Sequence, residues 1–491
     1  MKYILAIDQG TSSTRAFIFT SSGAEVCFHA RTLHEKYPHD GWVEQDPLEM
    51  WNNILVCIKE ALLKSKFSIQ QIASIGITNQ RESTIIWDKK TGTPIFPCIV
   101  WSDRRTAQLC GQLQKDKINE MIQEKTGLLI DPYFSATKIM WLLDHIPNAR
   151  KRTENGELLF GTIDSYILWH LTKGKVHATD ATNASRTMLF NIHDQRWDDE
   201  ILQKLNIPEK LLPTVLDTNA FFGTMDKEFF GHEIPITAMI GDQQSALVGQ
   251  ACFQPGTQKI TFGTGCFVLL NTGNQIIKSK HRLLSTIAYR LQGKVTYALE
   301  GSVFSAGIIV KWLRDKLKMI ASSQETEMLA QKLKDTGGVY LVPAFTGLGA
   351  PYWNPNARAA LLGMTNNTGV EHIVRAGLES VVYQTKDLLT AMIQDYPQPG
   401  SYIRVDGGMT NNNWLMQFLA DLLDQTIDRP TCIETTALGA ALMAALGAGI
   451  YSSLEEIATA WKLDKQFMPA MDQNSRENFY NGWKSAIRLI N

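Results

Sequence analysis

The sequence predicts an α/β protein built from two similar halves of about 250 residues each. Segments with the apolar patterns of strands and of amphipathic helices alternate along the whole chain. Each half opens with a short polar turn between two apolar, strand-like runs. The first turn follows Asp8, and the second begins at Gly263. We therefore predict domains at residues 1–251 and 252–491 with a cleft between them.

Length and composition exclude several classes of protein. At 491 residues the chain is too long for one ordinary core. Its formal net charge of -1 offers no general attraction for nucleic acid or an anionic membrane. The 7 cysteines contain no Cys-x-x-Cys pair and are odd in number, so we expect reduced thiols and a cytoplasmic location. No run reaches the roughly 18 apolar residues of a membrane-spanning helix.

The first half contains a clear helix start and two buried strands. Asp46 is suited to cap a helix whose first position is Pro47. Apolar residues then recur at helical spacing over positions 51–62. Apolar runs at 72–78 and 234–240 are typical of buried strands, and each ends at a polar segment.

The second half repeats this plan. Residues 259–270 read as strand, glycine-hydroxyl turn and strand, and 304–317 have the pattern of an amphipathic helix. Another strand runs into the glycine turn at 406–408, and a helix is predicted over 414–423. The repeat indicates an internally duplicated fold.

The first hairpin concentrates groups that can handle phosphate. It has Asp8 at the end of a strand, Gly10 in the turn and Arg15 on the return strand. Between them stand four residues with hydroxyl groups, namely Thr11, Ser12, Ser13 and Thr14. Burying a carboxylate at a strand end is costly without a partner, which favours a functional role. A plain hairpin with a polar tip is the alternative for this segment taken alone.

Nucleotide binding of the familiar glycine-loop kinds is not predicted. The chain has no G-x-x-x-x-G-K-[ST] segment and no G-x-G-x-x-G segment that opens a helix after a strand. Hairpin amides and hydroxyls can nevertheless form a concavity for anions, and two facing hairpins can hold one polyphosphate. Asp8 would then hold Mg²⁺ through water, and Arg15 would neutralise the transferred phosphoryl group.

Two further segments are suited to a small hydroxylated substrate. Asp242 follows a strand and precedes a helical pattern, where it can accept a proton from an attacking hydroxyl or merely cap the helix. Arg81 and Glu82 offer a donor and an acceptor for neighbouring hydroxyls, together with Gln243. Aromatic rings at Trp101 and Tyr133 would cover the carbon chain. The alternative is a surface ion pair beside core aromatics.

Eight collinear motifs closely resemble the FGGY carbohydrate kinases, and in particular those members that phosphorylate glycerol. They span essentially the whole chain, and together they are highly specific. The motifs are IDQGTSSTRA (7–16), GWVEQDP (41–47), ITNQRE (77–82), DPYFSATKIMWLLDH (131–145), GDQQSAL (241–247), FGTGCF (262–267), VPAFTGLGAPYW (342–353) and VDGGMTNN (405–412). The resemblance implies a duplicated actin-like ATPase fold, related to ribonuclease H, with ATP and Mg²⁺ as cofactors.

The resemblance also assigns roles to individual residues. Asp242 would be the catalytic base and Asp8 the metal ligand. The implied glycerol-binding residues are Arg81, Glu82, Trp101, Tyr133, Asp242, Gln243 and Phe267. The implied nucleotide-binding residues are Thr11, Ser12, Ser13, Arg15, Thr264, Gly307, Lys311, Gly408 and Asn412. Lys311, which would contact adenine, stands where relatives often have Gln.

The function expected from this resemblance is phosphorylation of glycerol to sn-glycerol 3-phosphate, the first step of glycerol catabolism, by a homodimer or homotetramer. One alternative is an FGGY kinase for a pentulose or a sugar acid. Another, from a different class, is an actin-like or chaperone-type ATPase whose nucleotide state drives partner binding. Such an ATPase needs no polyol pocket, so the residues around Arg81 and Asp242 count against it.

Overall fold

The computed structural model describes residues 2–116, 118–345, 347–352, 354 and 356–490. Thr346 and Trp353 of the 342–353 motif lie outside the described residues. The strands are β1 (Tyr3–Gln9), β2 (Ser13–Thr20), β3 (Glu25–Thr32), β4 (Glu35–Lys36), β5 (Glu44–Gln45), β6 (Ile72–Asn79), β7 (Ile85–Asp88), β8 (Cys98–Ile99), β9 (Leu158–Gly161), β10 (Ala178–Asp180), β11 (Phe190–Asn191), β12 (Arg196–Trp197), β13 (Thr214–Leu216), β14 (Thr224–Met225), β15 (Ile234–Gly241), β16 (Gln258–Phe262), β17 (Cys266–Gly273), β18 (Leu284–Leu291), β19 (Lys294–Val303), β20 (Tyr340–Val342), β21 (Ala360–Leu362), β22 (Tyr402–Asp406), β23 (Thr426–Pro430) and β24 (Leu463–Phe467).

The helices alternate with these strands along the chain. They are α1 (Pro47–Ser65), α2 (Ala107–Lys115), α3 (Asn119–Thr126), α4 (Ser135–His145), α5 (Ala149–Glu154), α6 (Ile163–Leu171), α7 (Ala181–Ala184), α8 (Asp199–Lys204), α9 (Asp242–Gly249), α10 (Gly307–Lys311), α11 (Glu325–Gln331), α12 (Val370–Asp395), α13 (Asn413–Leu423), α14 (Thr435–Gly447), α15 (Leu454–Ala458) and α16 (Gln473–Arg488). The predicted α/β class is confirmed.

The first large sheet brings three chain segments to one edge. Its strand order is β14-β15-β6-β1-β2-β3. Strands β1 to β3 form an antiparallel meander, while β6 pairs in parallel with both β1 and β15. The carboxyl ends of β1, β6 and β15 therefore lie at the same edge, which is where ligands bind in sheets of this kind. That edge carries the first hairpin, the 79–82 segment and Asp242.

The second large sheet has the same plan. Its order is β18-β19-β17-β16-β22-β23-β24. The hairpin of β16 and β17 is antiparallel, and β16, β22 and β23 are parallel neighbours. Five neighbouring strands therefore have the same arrangement in both sheets. They are β3-β2-β1-β6-β15 in the first sheet and β19-β17-β16-β22-β23 in the second. The predicted internal duplication is confirmed at the level of strand topology.

Helices α9 and α14 cross between the two sheets at glycine contacts. A Cβ atom on Gly249 would lie 2.1 Å from the Thr435 carbonyl oxygen, and one on Gly439 would lie 1.8 Å from that of Ser245. Only glycine permits such an approach of two backbones. Apolar residues of α14 share one core cluster with residues of β1 and β15. Helix α14 thus belongs to the second half of the chain but packs on the first sheet. The domain boundary near residue 251 remains a prediction.

The local predictions agree with the structure except at one helix. Asp46 caps α1, where its side chain accepts a hydrogen bond from the Leu48 amide. The helix predicted over 304–317 instead begins at Gly307 and passes into a π-helical turn at Trp312–Lys316. The later start has a clear cause, because the backbone just before it binds the second hairpin.

Candidate active site

The first hairpin carries an ion pair between an aspartate and an arginine at the edge of the first sheet. The Gly10 amide donates to the Ser13 carbonyl (3.0 Å) and closes the turn. Asp8 and Arg15 face each other across the strands, and the Arg15 guanidinium contacts the Asp8 carboxylate at 2.5 Å. Its other terminal nitrogen contacts Glu434 of the second half at 2.5 Å. Burial raises the pKa of Asp8, and Arg15 opposes that shift.

The second hairpin has no charged side chain in its turn. The Gly263 amide donates to the Gly265 carbonyl (2.9 Å). The Ala306 amide donates to the Thr264 carbonyl (3.1 Å), and the Gly307 amide to the Gly263 carbonyl (3.0 Å). A Cβ atom on Gly307 would lie 2.5 Å from that oxygen. The turn is therefore held by backbone contacts to the start of α10.

A buried cluster of charges surrounds Arg81. Its terminal nitrogens bind both carboxylate oxygens of Glu300, at 2.6 and 2.8 Å. Arg186 donates to Glu82 (2.6 Å) and to Glu300 (3.0 Å). All four side chains are at most 2% exposed. The predicted pair of Arg81 and Glu82 is thus part of a buried network, and the alternative of a surface ion pair is wrong.

Asp242 lies beside this network and remains open to solvent. Its carboxylate is 27% exposed, and Oδ1 lies 3.1 Å from Arg81 Nε. Oδ1 also accepts the amide of the next residue, Gln243 (2.7 Å). The helix-capping alternative is wrong, because Gly241 is the N-cap of α9 and Asp242 is its first residue. Burial raises the pKa of Asp242, while Arg81 and Lys259 lower it. An exposed edge and a raised pKa suit a group that accepts a proton.

A buried lysine sets the orientation of Gln243. Lys259 Nζ donates to Gln243 Oε1 (2.6 Å) and to Thr261 Oγ1 (2.7 Å). Burial lowers the pKa of Lys259, while Asp406 and Asp242 raise it. Since the amide oxygen faces the ammonium group, the amide nitrogen of Gln243 is left as a donor on the opposite side.

Aromatic rings form one wall beside these polar groups. The ring of Trp101 meets that of Tyr133 edge-to-face, with centroids 5.7 Å apart, and that of Phe267 at 6.4 Å. Trp101 Nε1 also donates to Thr11 Oγ1 (3.0 Å). Trp101 therefore contacts residues of both hairpins, which brings the predicted phosphate and polyol residues into one region.

Lys138 holds the loop that carries Tyr133 through hydrogen bonds to the loop backbone. This fully buried lysine donates to the carbonyls of Pro132 (2.8 Å), Tyr133 (2.7 Å) and Phe134 (3.3 Å). Burial lowers the pKa of Lys138 to about 8. The three carbonyls use all three ammonium donors, so Lys138 holds the backbone of the loop from which the Tyr133 side chain projects.

Lys311, Gly408 and Asn412, which the sequence predicts to contact the nucleotide, lie on elements next to the second hairpin, since α10 begins at that turn and β22 pairs with β16. A Cβ atom on Gly408 would have no neighbouring atom within 4 Å, and Lys311 is exposed on α10. Asn412 caps α13 by accepting the Leu415 amide (2.9 Å), and it donates to Thr326 (3.3 Å). The side chain of Asn412 therefore already has a structural role, and any contact with a nucleotide would be additional.

The fit of the site to Mg²⁺ depends on very few protein ligands. Residues 2–116, 118–345, 347–352, 354 and 356–490 contain no group of three or more His, Cys, Asp and Glu side chains arranged for a metal. Mg²⁺ in kinases is usually held by one or two carboxylates together with phosphates and water. The buried carboxylate of Asp8, at the edge where the hairpins converge, fits that ligand set. Within the same described residues, no helix has the length and apolar character needed to cross a membrane.

Comparison with protein families explains this arrangement. Residues 3–249 match the N-terminal domain of the FGGY family of carbohydrate kinases, and residues 258–448 match its C-terminal domain. The chain belongs to the FGGY family of carbohydrate kinases. It is therefore an enzyme of the kinase class, and the resemblance found from the motifs is confirmed.

Individual FGGY proteins are similar over the whole length of this chain. The glycerol kinase of Coxiella burnetii (strain Dugway 5J108-111) is 56% identical over 486 residues, which cover 99% of this chain and 97% of that protein. Glycerol kinase 1 of Pseudomonas aeruginosa is 54% identical over 488 residues, 99% of each chain. The crystal structure of Plasmodium falciparum glycerol kinase with ADP superposes with a TM-score of 0.92 at 39% identity, covering 100% of this chain and 98% of that one. The predicted duplicated, actin-like two-domain fold of this FGGY chain is confirmed.

Sequence reasoning missed several charged residues of this region. Glu300 and Lys259 stand in buried strands, Lys138 lies in α4, and Arg186 lies in the turn that follows α7. A buried charge needs a partner, so each of these isolated charges was a signal that something lies opposite. The partner could not be named, because Arg81 and Glu300 are 219 positions apart.

Proposed function

We propose that this FGGY kinase transfers the γ-phosphoryl group of ATP to a terminal hydroxyl of glycerol, giving sn-glycerol 3-phosphate and ADP, as the first step of glycerol catabolism. The observation that carries the proposal is the cluster in which Asp242 lies 3.1 Å from Arg81, and Arg81 contacts Tyr133 beside the ring of Trp101. Full-length similarity to proteins named glycerol kinase supports the choice of glycerol.

Recognition of glycerol would use both polar and aromatic contacts. Arg81 and the amide nitrogen of Gln243 would donate to hydroxyls, and Glu82 would accept from one. The rings of Trp101 and Phe267 would cover the carbon chain and exclude larger polar substrates. The burial of Arg81 and its neighbours supports this role, because desolvated donors discriminate strongly between hydroxylated ligands.

The chemical step would depend on Asp242. Its carboxylate orients the attacking hydroxyl and accepts its proton as the new oxygen–phosphorus bond forms. The bond between the γ-phosphorus and the bridging oxygen breaks, and that oxygen leaves with ADP. Catalysis of this kind is mainly positioning and charge neutralisation.

The two hairpins would hold the triphosphate. Thr11, Ser12 and Ser13 of the first hairpin and Thr264 of the second would bind phosphate oxygens, and Arg15 would neutralise charge on the transferred group. Bound with ATP near Asp8, Mg²⁺ would neutralise the phosphate oxygens. At the other end, the nucleoside would lie near Gly307, Lys311, Gly408 and Asn412.

The proposal also includes the location and the oligomeric state of the enzyme. We place the enzyme in the cytoplasm, where the 7 free thiols would stay reduced. We expect a homodimer or a homotetramer, which light scattering of the purified chain would decide.

The proposal is tested by following ADP release from MgATP with and without glycerol. Glycerol should raise the rate by orders of magnitude, and omission of Mg²⁺ should abolish it. A panel with xylulose, ribulose and gluconate tests the nearest alternative, and clear preference for one of them would refute glycerol. ATP hydrolysis that is indifferent to every polyol and stimulated by a peptide or by polymerisation would instead indicate an actin-like ATPase.

A further inference from the structure

We propose that Glu300 is a positioning residue of the polyol site, which aligns Arg81 for the substrate from the second sheet. The proposal rests on the proposed function, because it assigns Glu300 a role in binding glycerol. Glu300 touches neither substrate nor cofactor in this scheme, so it would act only through the arginine.

Glu300 reaches the site from β19, which lies next to the edge strand of the second sheet. It lies in β19, opposite Leu269 of β17 and Leu284 of β18, and its side chain is fully buried. Its two carboxylate oxygens accept parallel hydrogen bonds from the two terminal nitrogens of Arg81. This fork geometry fixes the plane of the guanidinium group, which a single contact would not do.

The paired hydrogen bonds with Glu300 determine which N–H group of Arg81 remains available to a ligand. Nη1 binds Glu300 and Gln244 (3.1 Å), and Nε faces Asp242. Nη2 binds Glu300 with one hydrogen, and its other contact is the Tyr133 hydroxyl at 3.5 Å. That contact is at the limit of a hydrogen bond, so this donor is the one that a substrate hydroxyl can recruit.

Glu300 also keeps two arginines together. Oε1 of Glu300, which accepts from Arg81 Nη2, also accepts from Arg186 Nη2 at 3.0 Å. Nε of Arg186 donates to Glu82. Burial alone would raise the pKa of Glu300, but Arg186 and Arg81 lower it to about 2. The carboxylate is therefore ionised at any working pH, and it offsets the repulsion between two buried cations.

The experiment compares steady-state kinetics of the full-length wild type, Glu300→Gln and Glu300→Asp. Glu300→Gln keeps the shape of the side chain but removes the charge and one acceptor. We expect it to raise the KM for glycerol at least about tenfold, with the KM for ATP within about threefold of wild type. Glu300→Asp keeps the charge and should give an intermediate KM for glycerol.

A matched control is available in the second half. Glu379 is also a buried glutamate that accepts from an arginine, Arg375 at 2.8 Å, and it contacts none of the residues around Arg81. Glu379→Gln should lower the melting temperature and leave the KM for glycerol unchanged. Equal changes in the KM for glycerol in both variants would show that Glu300 acts through stability alone, and would overturn the proposal.

A double-mutant cycle tests the route through Arg81. In an Arg81→Lys background the fork is already lost, so Glu300→Gln should change the KM for glycerol by less than about threefold more. Full additivity would overturn the proposal, as would a wild-type KM for glycerol in Glu300→Gln. If that variant does not fold, Glu300→Asp decides, and an unchanged KM there also overturns it.

Failure of the proposed function gives a different result. Wild-type protein that shows no glycerol-dependent ADP release refutes glycerol as the substrate. The same variants are then assayed with the polyol that the wild type does phosphorylate, and the expected changes in KM are the same.

Discussion

The two hairpins occupy equivalent places in the duplicated fold, yet they carry different chemistry. In both, the first strand pairs in parallel with the next strand of its sheet, β6 or β22. The strand pair two positions before the turn is Asp8 with Arg15 in the first hairpin and Thr261 with Phe267 in the second. One hairpin therefore presents opposite charges, and the other presents a hydroxyl and an aromatic ring.

The turns differ as well. The first is closed by a bond from Gly10 to Ser13 and the second by a bond from Gly263 to Gly265, so the first turn is one residue longer. The two hairpins therefore share a backbone plan but differ in their side chains. Under the proposed function, we expect the first hairpin to bind phosphate mainly through charge and the second mainly through its backbone.

The largest expected effect belongs to neither hairpin but to Asp242, at the edge of the first sheet. Asp242→Asn removes the proton acceptor and should lower kcat by about 10²- to 10⁴-fold with glycerol binding largely kept. Coupled ADP detection and glycerol titration calorimetry measure the two quantities. Asp217→Asn, which alters a pair with Arg290 away from the site, serves as the control and should keep wild-type kcat. Near-normal turnover of Asp242→Asn would remove Asp242 from its role.

A smaller effect is expected at the charged hairpin. Lysine at position 15 keeps one positive charge but cannot contact both Asp8 and Glu434 as the guanidinium does, so Arg15→Lys should lower kcat by about 10- to 100-fold. Thr264→Ala in the second hairpin should cost less than about fivefold, because the backbone there carries the contacts. Single-turnover kinetics at saturating ATP compare the two, and equal losses would contradict the division of roles.

The backbone role of the second hairpin can be tested through glycine. A Cβ on Gly307 would press on the Gly263 carbonyl, whereas a Cβ on Gly111 of α2, outside the predicted site, would meet open space. Gly307→Ala should therefore raise the KM for ATP by about 3- to 10-fold by displacing the turn, and Gly111→Ala should leave it nearly unchanged. A similar KM in both variants would show that the turn tolerates displacement.

The smallest effect concerns stability, and it separates the two halves. Burial lowers the pKa of His170 and of His177, both in the first half, to about 4. A group with a lowered pKa in the folded state binds protons preferentially when unfolded, so its stabilisation is full above the unfolded pKa of about 6.5 and is lost as the pH falls towards 4.

Replacing His170 should remove the part of this pH-dependent loss of stability that His170 causes. Between pH 7.5 and pH 5 the wild type should lose about 2 kcal/mol more of its free energy of unfolding than His170→Phe does. Urea unfolding at the two pH values measures the difference.

Much of this molecule could be predicted from local patterns. The start of α1 at Asp46 and Pro47, the polar hairpins and the strand before Asp242 all follow from residue types and spacing over a few positions. The helix over 304–317 was predicted to begin too early, because its first residues bond to a turn some forty positions earlier.

The sequence by itself determined the fold class, the duplication and the motifs that identify a carbohydrate kinase. Only the tertiary structure decided how Arg81 is held, by Glu300, and how Gln243 is oriented, by Lys259. The physical reason is that propensity and periodicity act over one turn or one strand. The partner that makes a buried charge tolerable is instead chosen by packing, between residues that can lie hundreds of positions apart.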